Sequence, residues 1–89
     1  MRASSQFILR NIADEYLLIP VGEAAMRIQG LIAMSESGAM FFNKLKKGCT
    51  KSDLVSALMA EYEVSESVAT EDTDAFLHQM RYFQAILEE

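Results

Sequence analysis

The apolar residues of this chain change their spacing once, at Ser35. From Phe7 to Met34 they come in short β-type runs, broken by Asp14-Glu15 and Gly22-Glu23. After Ser35 they recur every three or four residues, through three capped segments, to the end of the chain. A spacing near two buries a sheet face, and a spacing near 3.6 buries a helix stripe. The expected fold is therefore α+β: a three-stranded antiparallel sheet followed by three helices. The third strand stands at the join, so its free edge is open to a partner.

Eighty-nine residues provide for one core and one domain spanning residues 1–89. A chain of this size buries only roughly 60–65% of its unfolded surface, so modest stability is expected. Half of the residues are apolar and Pro and Gly are scarce, which excludes disorder. A formal net charge of −5 argues against a phosphate-binding surface and hence against nucleic acid. No apolar run approaches the ~20 residues needed to cross a bilayer, and no signal-peptide pattern precedes the first strand. The single cysteine, Cys49, rules out an internal disulfide and suits a reducing compartment. A soluble cytoplasmic protein that contacts neither nucleic acid nor membrane is expected.

Residues 1–6 are polar and are expected to fray. Phe7 to Ile12 reads as the first strand, Ala13-Asp14-Glu15 as a turn, and Tyr16 to Val21 as the second strand. That second run is apolar on both faces, as befits the middle of a sheet covered by helices, with Pro20 near its end. Gly22-Glu23-Ala24 supplies the next turn, and Ala25 to Met34 the third strand, with Gly30 near its middle. In the helical half, Ser35 or Ser37 can cap a helix carrying Met40, Phe41, Phe42 and Leu45, ending at Gly48. Thr50 caps the next, with Asp53 in a capping-box position, and Leu54, Val55, Leu58, Met59 and Tyr62 form its stripe. Ser65 caps the third, whose stripe is Val68, Phe76, Met80 and Phe83, with Leu77 beside it.

Convergent chemistry is sparse. His78 is the only histidine and reads as a polar residue on the outer face of the third helix. Cys49 falls between a helix stop and a cap, so it reads as a loop residue rather than a nucleophile. Glu71, Asp72 and Asp74 complement the positive end of a helix dipole better than they form a cation site. No Gly-rich phosphate loop follows a strand. Neither catalysis nor a cofactor or metal is expected. Three helices beside a small sheet also describe a winged helix-turn-helix, and Lys44, Lys46, Lys47 and Lys51 cluster at one helix-helix turn. The third helix nevertheless opens acidic where phosphates would approach. Most of the six methionines fall on apolar stripes and suit the core. With no Gly or Pro before Glu88 the last helix is expected to run almost to the C-terminus, and its tail Phe83, Ile86, Leu87 either folds back onto the sheet or supports a homodimer.

Several stretches together resemble one family. Phe7 to Ala25 is similar to the start of a PqqD-like protein, and Gln29 to Ala39 resembles that family's strand-to-helix junction. The similarity continues in order through Leu45, Gly48-Cys49-Thr50, Leu54, Leu58, Tyr62, Val64, Val68, Asp72, Phe76-Leu77 and Met80. The resemblance implies a recognition element for ribosomally made, post-translationally modified peptides. Such an element binds the leader segment of a precursor peptide and presents it to a modifying enzyme, often a radical S-adenosylmethionine protein. In the family the leader adds as a strand to the third strand, in the groove formed with the third helix. Mapped here, the implied edge is Arg27, Ile28, Gln29, Gly30, Leu31, Ile32 and Ala33. The implied facing wall carries Val68, Asp72, Ala75, Phe76, Gln79 and Met80. Within that mapping Gly30 would admit a peptide backbone, and Arg27 and Gln29 could engage acidic or polar leader residues.

This chain has Ser35 where the family often has Asn, Phe42 for Trp, and Gln84 where a Gly usually ends the last helix. The resulting expectation is a non-catalytic carrier that binds a leader peptide and delivers it to its enzyme. The alternatives are an acidic winged-helix regulator and a dimerising structural subunit.

Overall fold

A computed structural model describes residues 1–88. Strand β2 (Phe7–Ile12) and strand β3 (Glu15–Pro20) form a hairpin in which Ile12 faces Glu15 across a two-residue turn. Both turn residues, Ala13 and Asp14, have positive φ (52° and 65°), the conformation that matches the twist of paired strands. The short strand β4 (Ile32–Met34) then pairs antiparallel with β3, giving the sheet order β2-β3-β4. Phe7, Leu18, Pro20, Ile32 and Met34 share the buried face of this sheet. On the other face Ile8, Leu17 and Ile19 are half-buried and Ile12 is exposed, so helices cover one side of the sheet, not both as expected.

The expected third strand, Ala25 to Met34, is the main correction. Its first part is a one-turn helix, α1 (Glu23–Arg27), and only its last three residues are strand. Glu-Ala-Ala-Met-Arg is a run of good helix formers, but five residues are too few to show a period. Gly22 opens the helix at φ 58°, and the Gln6 side chain accepts from the Ala24 N–H at 2.8 Å, in place of the cap that Gly22 lacks. Gly30, with φ 89°, bends the loop before β4 and does not lie within a strand.

The three long helices follow as α2 (Glu36–Lys47), α3 (Lys51–Tyr62) and α4 (Glu66–Phe83). Ser35, Thr50 and Ser65 cap them, each accepting from the N–H three residues on. At Thr50 the box is complete, because Asp53 accepts the Thr50 N–H at 2.9 Å. Phe41, Phe42 and Leu45 from α2, Leu54 and Leu58 from α3, and Ala69, Leu77 and Met80 from α4 close the core with Leu18. Thr73 is wholly buried among them, and its hydroxyl donates to the Ala69 carbonyl at 2.7 Å, so its burial leaves no unmade hydrogen bond.

Both ends of the chain differ from expectation. Helix α4 does not continue to the C-terminus: Gln84 takes the left-handed conformation (φ 58°), Gln84 N–H donates to Arg81 and Ala85 N–H to Met80. These are the paired bonds of a Schellman motif, with buried Ala85 following the turn. The turn sends strand β5 (Ile86–Leu87) back against strand β1 (Arg2–Ala3). The polar start is thus paired, not frayed: Ser4 N–H also donates to Ala85, and Cys49 N–H to Met1. Ile86 is buried by this fold-back, which joins β1 and not the three-stranded sheet.

Two stability outcomes follow from the caps. Thr50→Ala is expected to cost about 1 kcal/mol in urea unfolding, whereas Gln84→Gly, relieving the left-handed conformation, should gain about 0.5 kcal/mol. The Thr50 N–H, and after it the Thr50 side chain, hold the Asp53 carboxyl below its usual value of 3.8. A lowered carboxylate pKa adds stability above the unfolded value and loses it as pH falls through the folded one. Asp53→Asn should therefore be less stable than the parent at neutral pH, with the difference vanishing on acidification below 3.8.

Candidate functional site

Strand β4 is an edge: β3 pairs with one side, and among the described residues no strand pairs with the other. A row of unpaired backbone groups at such an edge is a template for another extended chain. Chain connectivity places the start of α2 next to this edge, because the Ser35 cap follows Met34 directly. Helix α4 passes on the other side, held by the tilted ring contact of Phe41 and Phe76 (centroids 5.0 Å apart, planes at 56°). The result is a groove of about 350 Å³ between β4 and α4, with α2's first turn at one end.

Five of the thirteen residues mapped from the sequence line this groove: Ala33 from the edge, and Asp72, Ala75, Phe76 and Gln79 from α4. The α4 residues fall at i, i+3, i+4 and i+7, one continuous helical face. The structure brings in five more that sequence reading did not select: Met34, Ser35, Ser37, Gly38 and Phe41. The available signal was the helical spacing of Ser37, Gly38 and Phe41 directly after a strand. Gly38 packs tightly here: a Cβ would stand 3.1 Å from the Ser35 Oγ that caps α2, so a side chain would have to shift that cap by a few tenths of an ångström.

The remaining mapped residues lie elsewhere. Met80 is wholly buried in the core, Ile32 points into it, and Val68, 43% exposed, stands one turn before Asp72 without lining the groove. Arg27, Ile28, Gln29, Gly30 and Leu31 precede the strand and do not line the groove. Arg27 donates to the Phe83 carbonyl at 3.0 Å, so its guanidinium ties α1 to the end of α4. The space beside Gly30 is open, with no atom of the chain within 4 Å of where a Cβ would be.

Asp72 carries the only formal charge among the lining residues, and among the described residues it makes no ion pair. Its neighbour Asp74 turns away to Lys51 at 2.6 Å, an exposed pair of small energetic weight. Met34, Phe41 and Phe76 make the floor apolar, while Ser35, Ser37 and Gln79 supply hydroxyl and amide groups. Such a groove can take an extended backbone along β4 and sort the side chains that enter it.

His78 is exposed on α4, and among the described residues no three His, Cys, Asp or Glu cluster closely enough to hold a metal ion. The Cys49 thiol is pushed up by burial and then by Asp53, against the pull of the N-terminal ammonium and Lys44. A raised pKa leaves it a poor nucleophile at neutral pH. A larger concavity, about 1250 Å³, opens between α2 and α3, away from the β4 edge.

Comparison with known proteins follows this geometry. No curated protein matches the chain. Its structure is similar to that of TbiB1 in complex with the TbiA(beta) leader peptide, at 20% identity and a TM-score of 0.79, covering 100% of this chain and 98% of that one. It is also similar to lasso peptide synthetase B1 complexed with the leader peptide, at 17% identity and a TM-score of 0.72, covering 91% of this chain and 89% of that one. The family model for coenzyme PQQ synthesis protein D (PqqD) matches residues 15–82, from β3 through all but the last residue of α4, and the chain belongs to that family.

Proposed function

We propose that this protein is a non-catalytic carrier that binds the leader segment of a ribosomally made precursor peptide and delivers it to a modifying enzyme, a radical S-adenosylmethionine protein being the favoured partner. The observation that carries the reading is the groove lying against the unpaired edge of β4. It is supported by the family and by two structural neighbours that were each solved with a leader peptide.

The leader adds antiparallel to β4 as a fourth strand of the sheet. Main-chain hydrogen bonds supply affinity that does not depend on sequence, and the groove selects side chains. Because β4 has only three residues, Ile32–Met34, the ladder is short and most discrimination falls to the groove. Its apolar floor favours aliphatic or aromatic leader residues, and the unpaired Asp72 favours a lysine or arginine beside them. A short ladder with a shallow groove fits roughly micromolar affinity, near −8 kcal/mol, which lets the product leave.

Blocking the groove tests this reading without disturbing the core. Ile32→Pro is a poor choice, since Ile32 is itself only 8% exposed. Ala75 is exposed and lines the groove, so Ala75→Trp should leave the fold intact and fill the space. Calorimetric titration with leader peptides encoded beside the gene should then give a Kd raised by about tenfold or more, roughly 1.4 kcal/mol. Arg27→Ala serves as the contrast: it should cost about 0.5–1 kcal/mol of stability and leave leader affinity within about twofold. Unchanged binding by Ala75→Trp, or no binding of any neighbouring leader to the parent protein, would reject the carrier.

A further inference from the structure

We infer that Tyr82 and Leu31 flank a second leader subsite, which holds an apolar side chain of the leader just beyond the segment paired to β4. The inference rests on the carrier reading and deepens it. Strand β4, Ile32–Met34, spans only about 7 Å. The α4 residues of the facing wall, Asp72 to Gln79, span about 10 Å. An extended leader therefore overruns the ladder, and what it meets next depends on the direction of α4. Two observations give that direction. Past the end of β4, Ser35 and Ser37 line the groove together with Asp72, from the first half of α4. Ahead of β4, Arg27 donates to the Phe83 carbonyl at 3.0 Å, which brings α1 to the last residue of α4. Helix α4 thus runs opposite to β4. A leader antiparallel to β4 then runs along α4, from the Asp72 end toward the Tyr82 end.

The face of α4 continues past the groove. Asp72, Ala75, Gln79 and Tyr82 follow one another at spacings of three, four and three, so Tyr82 stands about 15 Å along the same stripe. Of the phenylalanines and tyrosines, Tyr82 alone is exposed, at 79%. Its ring is nevertheless held: it meets Phe83 edge-on, with centroids 5.2 Å apart and planes at 81°. On the strand side, the chain entering β4 presents Leu31, 55% exposed, and the space beside Gly30 is open. The arginines at this end are engaged, Arg27 with the Phe83 carbonyl and Arg81 with Glu88 at 2.6 Å. A held aromatic ring on one side and an aliphatic side chain on the other suit a leucine, isoleucine or phenylalanine. Continuity with the groove makes the leader the occupant, because a chain leaving β4 in this direction crosses between Leu31 and Tyr82.

The test uses the leader peptide encoded beside the gene, carrying a nitroxide label on one or the other flank of its bound segment, and amide NMR of the isotope-labelled full chain. The C-terminal label should broaden Leu31 and Tyr82, and the N-terminal label Ser37 and Asp72; the reverse pattern overturns the proposal. Tyr82→Ala should raise the leader Kd about fivefold. Tyr82→Phe should stay within about twofold, because the ring and not the hydroxyl makes the contact. Ile12→Ala, which removes an exposed apolar side chain from the uncovered face of the sheet, should change nothing. A leader with serine for the apolar residues of its C-terminal flank should lose the same factor, with no further loss on Tyr82→Ala. The subsite falls if Tyr82→Ala binds the leader as the parent does, or if its loss persists in full with the serine leader. It also falls if sedimentation shows a dimer of the parent that Tyr82→Ala dissolves. A parent chain that binds no leader sinks the carrier reading as well, whereas shifts at Ala33 and Gln79 without any at Leu31 and Tyr82 sink the subsite alone.

Discussion

The contact of Phe41 with Phe76 is the joint on which the site depends. Phe41 sits one turn into α2 and Phe76 midway along α4, and their rings meet at 5.0 Å beneath the groove. Both side chains are nearly inaccessible, so the contact belongs to the core as much as to the site. It fixes the distance of α4 from the start of α2, which the Ser35 cap anchors to β4. The width of the groove is therefore set by close-packed aromatic rings and not by loops, and packed interiors resist continuous deformation. A site built in this way is rigid before any ligand arrives, which lowers the ordering cost of binding.

The same fold handles its two kinds of open edge differently. The chain ends pair with each other: β5 turns back through Gln84 and joins β1, burying Ile86. The outer edge of β4 has no such cover, and the strand is short and flanked by a turn on one side and a helix cap on the other. A short edge is one of the ways natural sheets avoid pairing with themselves. Three residues offer too few hydrogen bonds for indiscriminate association, yet enough to align a chain that also fits the groove. On the proposed reading, brevity of the edge and selectivity of the groove are one device.

How much of this was legible in the sequence varied with the range of the interaction involved. The caps at Thr50 and Ser65, the cap at Ser35 (offered beside Ser37) and the stop at Gly48 were readable because a cap is a contact over three or four residues. The α4 wall came from the family resemblance and not from spacing: of its implied residues Asp72, Ala75, Phe76 and Gln79 line the groove, and Val68 and Met80 do not. Helix α1 was missed because its N-terminus is satisfied by Gln6, a partner eighteen residues away, and a single turn carries no period. The C-terminal turn was missed because Gln84 fills a position that glycine usually marks, so the sequence carried no stop signal there. The uncovered face of the sheet was misread for a related reason. Ile8, Leu17 and Ile19 look like interior residues on composition, and only the placement of the helices decides that they are not.

Helix α2 gives the two concavities their relation. Ser37, Gly38 and Phe41 face the β4 groove, whereas Ala39, Met40, Asn43 and Lys47 face the cleft toward α3. These sets lie on different sides of one twelve-residue helix, capped at Ser35 and stopped at Gly48. Ligands on the two sides would share a rigid element without sharing a surface, so neither excludes the other by contact. Anything held on one side would then leave the other nearly unaffected, with coupling near unity unless α2 itself shifts.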